Sequence, residues 1–165
     1  MRTLLLNNKQ IGQRVQRIAC QIFEDCYDEK EIIVAGISNS GFVFAKKLVA
    51  VLKKTYSLQI TLLEVKVDKQ KPLQPILSGV LNSKQLKNKV VVVVDDVLNS
   101  GKTLMYSLRP FLESDVKKIR TVLLVDRDHK RYPIAADYVG LTLSTTVKEH
   151  ITVEFASNGT AVYLE

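Results

Sequence analysis

Five consecutive valines, Val90 to Val94, leave this chain few folds to choose from. A half-exposed strand alternates apolar and polar residues. An unbroken β-branched run reads instead as a strand covered on both faces, as in the middle of a parallel sheet. Asp95 and Asp96 follow where such a strand emerges from its core. After Val97 and Leu98 comes a turn of small, hydroxylated and glycine residues, Asn99-Ser100-Gly101-Lys102-Thr103, ahead of a helical pattern. Ligands of open α/β sheets bind just outside the carboxyl ends of strands. A Ser-Gly-Lys-Thr turn at a helix start offers backbone N–H groups, hydroxyls and a cation to one phosphate. Two adjacent carboxylates accept hydrogen bonds from a diol. The stretch therefore suits a ligand with a phosphate at one end and vicinal hydroxyls beside it. The bland alternative is a buried strand, a capped helix start and two solvated acids.

Gly101-Lys102-Thr103 also matches the last three positions of a nucleoside-triphosphate P-loop. That motif needs a glycine five residues earlier, and Asp96 stands there. A carboxylate where backbone must wrap a polyphosphate would repel it, which excludes the P-loop.

With 165 residues, 46% hydrophobic and 25% charged, the chain has the size and composition of one globular domain with a real core. No apolar run reaches membrane-spanning length. Leu4-Leu5-Leu6 is too short for a signal-peptide core and lacks a cleavage pattern, so a cytoplasmic location without a membrane partner is expected. Cys20 and Cys26 lie on one expected helix, pointing to different faces and lacking zinc-ligand spacing, and read as core filler. The net charge of +7 suits polyphosphate substrates and RNA alike.

Ile11, Val15, Ile18, Ile22 and Phe23 recur at helical spacing, with Asn7 or Asn8 to cap a helix over about 8–26. Glu31–Ile37 reads as a buried strand, Gly41–Lys54 as a second helix and Gln59–Val67 as a strand. Residues 68–89 carry Pro72, Pro75, Gly79 and several lysines, an insert with room for one hairpin. Val90–Asp95 is the central strand and Thr103–Leu112 its helix. Lys118–Val125 and Ala136–Leu141 are further strands. Ile151–Phe155 and Thr160–Leu164 flank the hairpin signal Asn158-Gly159. Alternating strands and helices imply an α/β fold with a doubly wound, mostly parallel sheet flanked by helices. The insert and the tail fall outside that rhythm, as a small cap over the sheet's carboxyl edge.

Two further segments bear on a site. Gly36-Ile37-Ser38-Asn39-Ser40-Gly41 follows a strand and opens a helix, with glycines that permit a tight turn and outward N–H groups. In isolation it reads equally as a plain connection. Leu123 to Gly140 runs from a buried strand through Asp126-Arg127-Asp128-His129-Lys130-Arg131 to Asp137-Tyr138-Val139. Tyr138 can stack on a ring or sit half-buried in a strand. His129 and the basic residues around it read most simply as a solvated charged loop.

Val90–Thr103 resembles the phosphoribosyl-diphosphate (PRPP) motif of type I phosphoribosyltransferases. The resemblance implies that Asp95 and Asp96 hold the ribose hydroxyls and stabilise a cationic ribose in catalysis. It implies that Asn99, Ser100, Gly101, Lys102 and Thr103 cradle the 5′-phosphate. Magnesium (Mg2+) would bridge ribose and pyrophosphate, touching Asp95 and Asp96 indirectly. Gly36–Gly41 resembles the family's pyrophosphate loop, with Ser38, Asn39, Ser40 and Gly41 as its members. Leu123–Gly140 is similar to the pyrimidine operon regulators, bifunctional uracil phosphoribosyltransferases that also bind messenger RNA, and the similarity covers nearly the whole chain. By position, Tyr138 would stack on the base and the Val139 backbone would read it.

Four departures stand out. Ser40 replaces a basic residue or glycine common in relatives, and Ala135 an Arg or Lys. Asn99 stands where purine enzymes have an acid, and an amide cannot be a general base. The insert is short and lacks an Arg-Asp-Asp stretch, for which Lys69 and Lys71 are partial substitutes. The resemblance thus implies an enzyme joining uracil to PRPP, acting as a homodimer or larger homo-oligomer. The alternatives are a weak or inactive nucleotide-sensing regulator that binds RNA, and a purine phosphoribosyltransferase.

Overall fold

A computed structural model describes residues 2–68, 74–78 and 82–165. Among them, in chain order, are β1 (Thr3–Leu6), α1 (Asn8–Asp25), β2 (Glu31–Ile37), α2 (Ser40–Thr55), β3 (Gln59–Lys66), β4 (Ile76–Ser78) and α3 (Ser83–Leu86). There follow β5 (Val90–Leu98), α4 (Lys102–Ser107), α5 (Arg109–Leu112), β6 (Lys118–Asp126), β7 (Tyr138–Thr142), β8 (Ile151–Ala156) and β9 (Gly159–Leu164). A six-stranded sheet runs β4-β3-β2-β5-β6-β7, and a three-stranded one runs β1-β9-β8. In the larger sheet β3, β2, β5, β6 and β7 are parallel, and only β4 is antiparallel, to β3.

The valine run is the spine of this architecture. Val90 to Val94 are all fully buried, and they alternate between two apolar layers. Val92 and Val94 meet Ile18 and Ile22 of α1 and Phe44 and Leu48 of α2. Val91 and Val93 meet Leu86, Leu104 and Phe111 from α3, α4 and α5 on the opposite face. Each buried valine contributes about 1.5–3 kcal/mol over exposure. This is the double cover that the missing polar alternation implied.

α1 begins where Asn7 and Gln10 bond each other's backbone N–H, each at 2.9 Å, a capping box. Asn8 acts elsewhere, its Oδ1 accepting from the Thr160 N–H at 2.9 Å and so tying the tail to the helix. Cys20 and Cys26 are free thiols, the first half-buried and the second buried. No helix among the described residues is long and apolar enough to cross a membrane.

Four boundaries differ from the sequence expectation. β5 does not stop at Asp95; its ladder with β6 continues through Val97↔Val125 and Leu98↔Asp126. The helix expected over 103–112 is two short helices, because Pro110 near the start of α5 has no N–H to continue one ladder. β7 starts at Tyr138, because Asp137 bonds the backbone N–H and hydroxyl of Thr121 at 2.8 and 3.0 Å. β1 was not foreseen. Four residues carry too weak a periodicity, and β1 exists only by pairing with β9.

The cap also differs in composition. The tail pairs with β1, and the described part of the insert, β4, widens the main sheet beside β3. Lys69, Lys71, Pro72 and Gly79 lie outside the described residues.

Candidate functional site

β2 and β5 are neighbours in the sheet, so the turns leaving their carboxyl ends meet. The contact is close. A Cβ on Gly41 would lie 2.6 Å from Asp95 Oδ1 and 3.2 Å from the Val94 carbonyl. Only a residue without a side chain lets α2 start against the Asp95 carboxylate. Both acids are buried, Asp95 to 5% and Asp96 to 8% exposure, and Asp95 Oδ1 accepts from the Asp96 N–H at 2.9 Å. They are therefore not the solvated pair of the bland reading. Burying two adjacent carboxylates is costly, and hydroxyl donors or a cation relieve that cost.

The next turn is shaped around a concavity. Asp95, Val97, Leu98, Asn99, Ser100, Gly101, Thr103 and Leu104 line a pocket of about 70 Å³. At roughly 30 Å³ per water in the liquid, that is room for about two waters or one small anionic group. Gly101 has φ +84°, and a Cβ there would meet Ile134 Cγ2 at 2.7 Å. The Ser100 carbonyl accepts from the N–H groups of Arg131 and Tyr132 at 2.8 and 3.1 Å, and its hydroxyl accepts from the Lys102 N–H at 3.3 Å. Lys102 and Thr103 open α4, whose first N–H groups have no partner within the helix. Hydroxyls and N–H groups thus surround one small pocket, and Lys102 opens α4 beside it without being part of its lining.

The 38–41 turn is less uniform than its sequence implied. Ser38 is committed to the fold: its hydroxyl donates to the Val65 carbonyl at 2.9 Å and accepts from the Val67 N–H at 3.0 Å. Its own N–H also bonds the Val65 carbonyl, at 2.9 Å. Ser38 holds β2 and β3 together, and the free donors belong to Asn39, Ser40 and Gly41 at the start of α2. Asn39 sits at φ 64°, ψ −116°, a strained conformation for a residue with a side chain. Beside this turn, Ser38, Asn39, Lys66, Glu64, Asp68 and Gln74 border a cleft of about 440 Å³. Lys66 is a cation at the turn that sequence reasoning missed, because its strand looked purely structural.

Tyr138 and Val139 open β7, where the ladder sets Val139 opposite Leu123 and Leu123 opposite Asp95. Tyr138 lies on the α1 side of the sheet and interacts with Asp25, at the end of α1, and Arg120. Burial first, then Asp25, pushes its hydroxyl up to about 12. Arg120 first, then Lys118, holds the Asp25 carboxyl down to about 2. Nε and Nη2 of Arg120 grip both Asp25 oxygens at 2.8 and 3.2 Å. The Val139 carbonyl accepts from Arg17 at 2.6 Å. These contacts form a structural clasp among α1, β6 and β7.

The charged segment after β6 is built at its start, where Asp126 and Arg127 are buried, and exposed at Asp128 and Arg131. Asp126 accepts from the Asp128 N–H at 2.8 Å and from Lys130 Nζ at 3.0 Å, which raises the Lys130 pKa. Arg127 is only 5% exposed. The signal was there: a charged pair directly after a buried strand, the same grammar as Asp95-Asp96.

Known proteins resemble this arrangement along most of its length. The profile of the phosphoribosyl transferase domain matches residues 1–158. The bifunctional protein PyrR of Alkaliphilus metalliredigens is 32% identical over 157 residues, covering 90% of this chain and 86% of that one. The protein of the same name from Haemophilus ducreyi is 29% identical over 160 residues, covering 93% and 89%. The crystal structure of a hypoxanthine-guanine phosphoribosyltransferase from Bacillus anthracis matches with TM-score 0.72 at 25% identity, over 86% of this chain and 82% of that one. The hypoxanthine phosphoribosyltransferase of Trypanosoma cruzi has the same fold, with TM-score 0.79 at 18% identity over 97% and 95%. A doubly wound sheet with buried acids and a glycine-shaped pocket at its carboxyl edge, matched along nearly all its length, places this chain in the phosphoribosyl transferase domain family.

Proposed function

We propose that the chain transfers the phosphoribosyl group of PRPP to a nucleobase, with uracil as the acceptor, releasing pyrophosphate. The observation that carries this reading is the fit of Gly41 against Asp95, which sets one anion-suited turn beside a buried acid pair and a second turn. In this reading Asp95 and Asp96 accept hydrogen bonds from the ribose hydroxyls. Asn99, Ser100, Gly101, Lys102 and Thr103 hold the 5′-phosphate. The N–H groups of Asn39, Ser40 and Gly41 receive the departing pyrophosphate. As that group leaves, positive charge grows on the ribose, and the fixed carboxylates stabilise it.

Among the described residues, no group of three or more His, Cys, Asp or Glu side chains is placed to hold a metal by itself. Two carboxylates beside a phosphate-rich substrate suit magnesium, which keeps waters and shares its coordination with substrate oxygens. Asp95 and Asp96 would hold it, and it would supply charge neutralisation on the pyrophosphate.

Uracil is favoured through the resemblance to the pyrimidine operon regulators. Asn99 supports it, because an amide cannot serve as the base that a purine acceptor's enzyme uses there. The hypoxanthine-guanine relative keeps a purine acceptor as the rival. The second reading, an RNA-binding regulator, is favoured by the net charge of +7 and the relatives' name, bifunctional. A cytoplasmic homodimer accords with the family resemblance. Supplying PRPP and magnesium with uracil, hypoxanthine, guanine, adenine or orotate tests the proposal. Uridine monophosphate should form fastest. Turnover of a purine instead reassigns the base, and consumption of none sinks the enzyme reading.

A further inference from the structure

We infer that Arg127 is the positioning residue of the candidate phosphate pocket, fixing Asn99 as a hydrogen-bond donor and tying its turn to residues 145–149. The inference rests on the phosphoribosyl reading above. Arg127 follows β6, and its guanidinium bridges two separate segments. Nη1 donates to Asn99 Oδ1 at 3.0 Å and Nε to Thr145 Oγ1 at 2.9 Å. Nη2 donates to the carbonyls of Thr146 at 3.1 Å and Glu149 at 2.6 Å. The Glu149 carboxylate closes the segment on itself by accepting from the Thr146 N–H at 2.7 Å.

Two consequences follow from the chemistry of the group. A guanidinium has donors and no acceptor, so the face of the Asn99 amide turned to it must be the oxygen. The NH2 group is then turned away, and no acceptor meets it among the described residues. Asn99 lines the small pocket. A locked amide of this kind can only donate, so the ligand atom facing it is an acceptor oxygen, as on a phosphate ester. Secondly, all four acceptors of Arg127 are neutral oxygens, although the side chain is buried. Among the described residues no carboxylate pairs with it directly, although the Glu149 carboxylate, held low first by Thr146, also feels its charge, and a buried cation of this kind favours an anion nearby. Lysine offers a compact point charge and cannot reproduce the planar set of four bonds.

Calorimetric titration with ribose 5-phosphate tests this, on wild type, Arg127→Lys, Asn99→Ala and the double variant, each with a thermal melt. Wild type should bind. Each single variant should bind about ten-fold more weakly, and the double variant no more weakly than the worse single one, because Arg127 acts through Asn99. An Arg127 that merely supports the fold would lower the melting temperature and give losses that multiply. Multiplying losses, or wild-type affinity in Arg127→Lys, overturn the positioning role alone. Failure of wild type to bind overturns both this role and the phosphoribosyl reading. Should Arg127→Lys not fold, Asn99→Asp carries the test. It keeps the Arg127 contact but swaps the donor for an acceptor, so affinity should fall at least ten-fold with the melting temperature held. Unchanged affinity there overturns the proposal.

Discussion

Gly41 and Asn39, two residues apart, show how much of the site depends on backbone shape. A methyl group at Gly41 cannot coexist with Asp95 Oδ1 at 2.6 Å, so either the carboxylate or α2 must move. Gly41→Ala should cost about 1–3 kcal/mol of stability. It should also raise KM for PRPP at least ten-fold, as steady-state kinetics and denaturant titration would show. Asn39 stores strain of the opposite kind. Removing its side chain to Ala keeps the unfavourable φ of 64° and should not help, whereas Asn39→Gly relieves it. Thermal melts should therefore rank Gly at least level with wild type and Ala below it. The composition of both turns was legible in the sequence. The commitment of the Ser38 hydroxyl to Val65 and Val67 was not, because it depends on which strand lies alongside.

The clasp of α1, β6 and β7 is the element-scale counterpart. Asp25 is held to about 2 by Arg120, below its ordinary 3.8. A carboxylate whose folded pKa is depressed adds stability that is fully present above its unfolded pKa. That stability is lost as the pH falls from about 4 through about 2. Wild type should thus lose about 1 kcal/mol more than Asp25→Asn between pH 5 and pH 2, read from urea midpoints at each pH. Equal losses would show that the pair adds nothing. The setting of Tyr138 belongs to this scale too. An Asp-aromatic-Val-Gly end places a tyrosine on a strand correctly, but only the sheet decides its face. Here that face is the α1 side, where Asp25 and Arg120 claim the hydroxyl. The strands and helices of the middle were readable because their periodicity is strong. The end of β5 was not, since a sequence that turns acidic at Asp95 looks finished while its ladder runs on to Leu98.

At the scale of the molecule, the chain's two ends close one small sheet. β1 pairs with β9, and Leu6 is buried opposite Val162, while Leu4 beside it is half exposed. Leu6→Ala should cost about 2–4 kcal/mol by denaturant titration, against under about 0.5 for Leu4→Ala. Equal costs would contradict the pairing. The tail hairpin was visible in Asn158-Gly159, but its partner strand was not, because nothing local marks three leucines as an edge. What the sheets accomplish together is to bring two turns and two acids to one edge. The claim that this edge transfers a phosphoribosyl group is tested most directly by uridine monophosphate formation from uracil and PRPP. Wild type should be compared with Asp95→Asn/Asp96→Asn at matched melting temperature. The account predicts turnover in wild type and a loss of at least about 100-fold in the double variant. Undiminished turnover without the two carboxylates would contradict it.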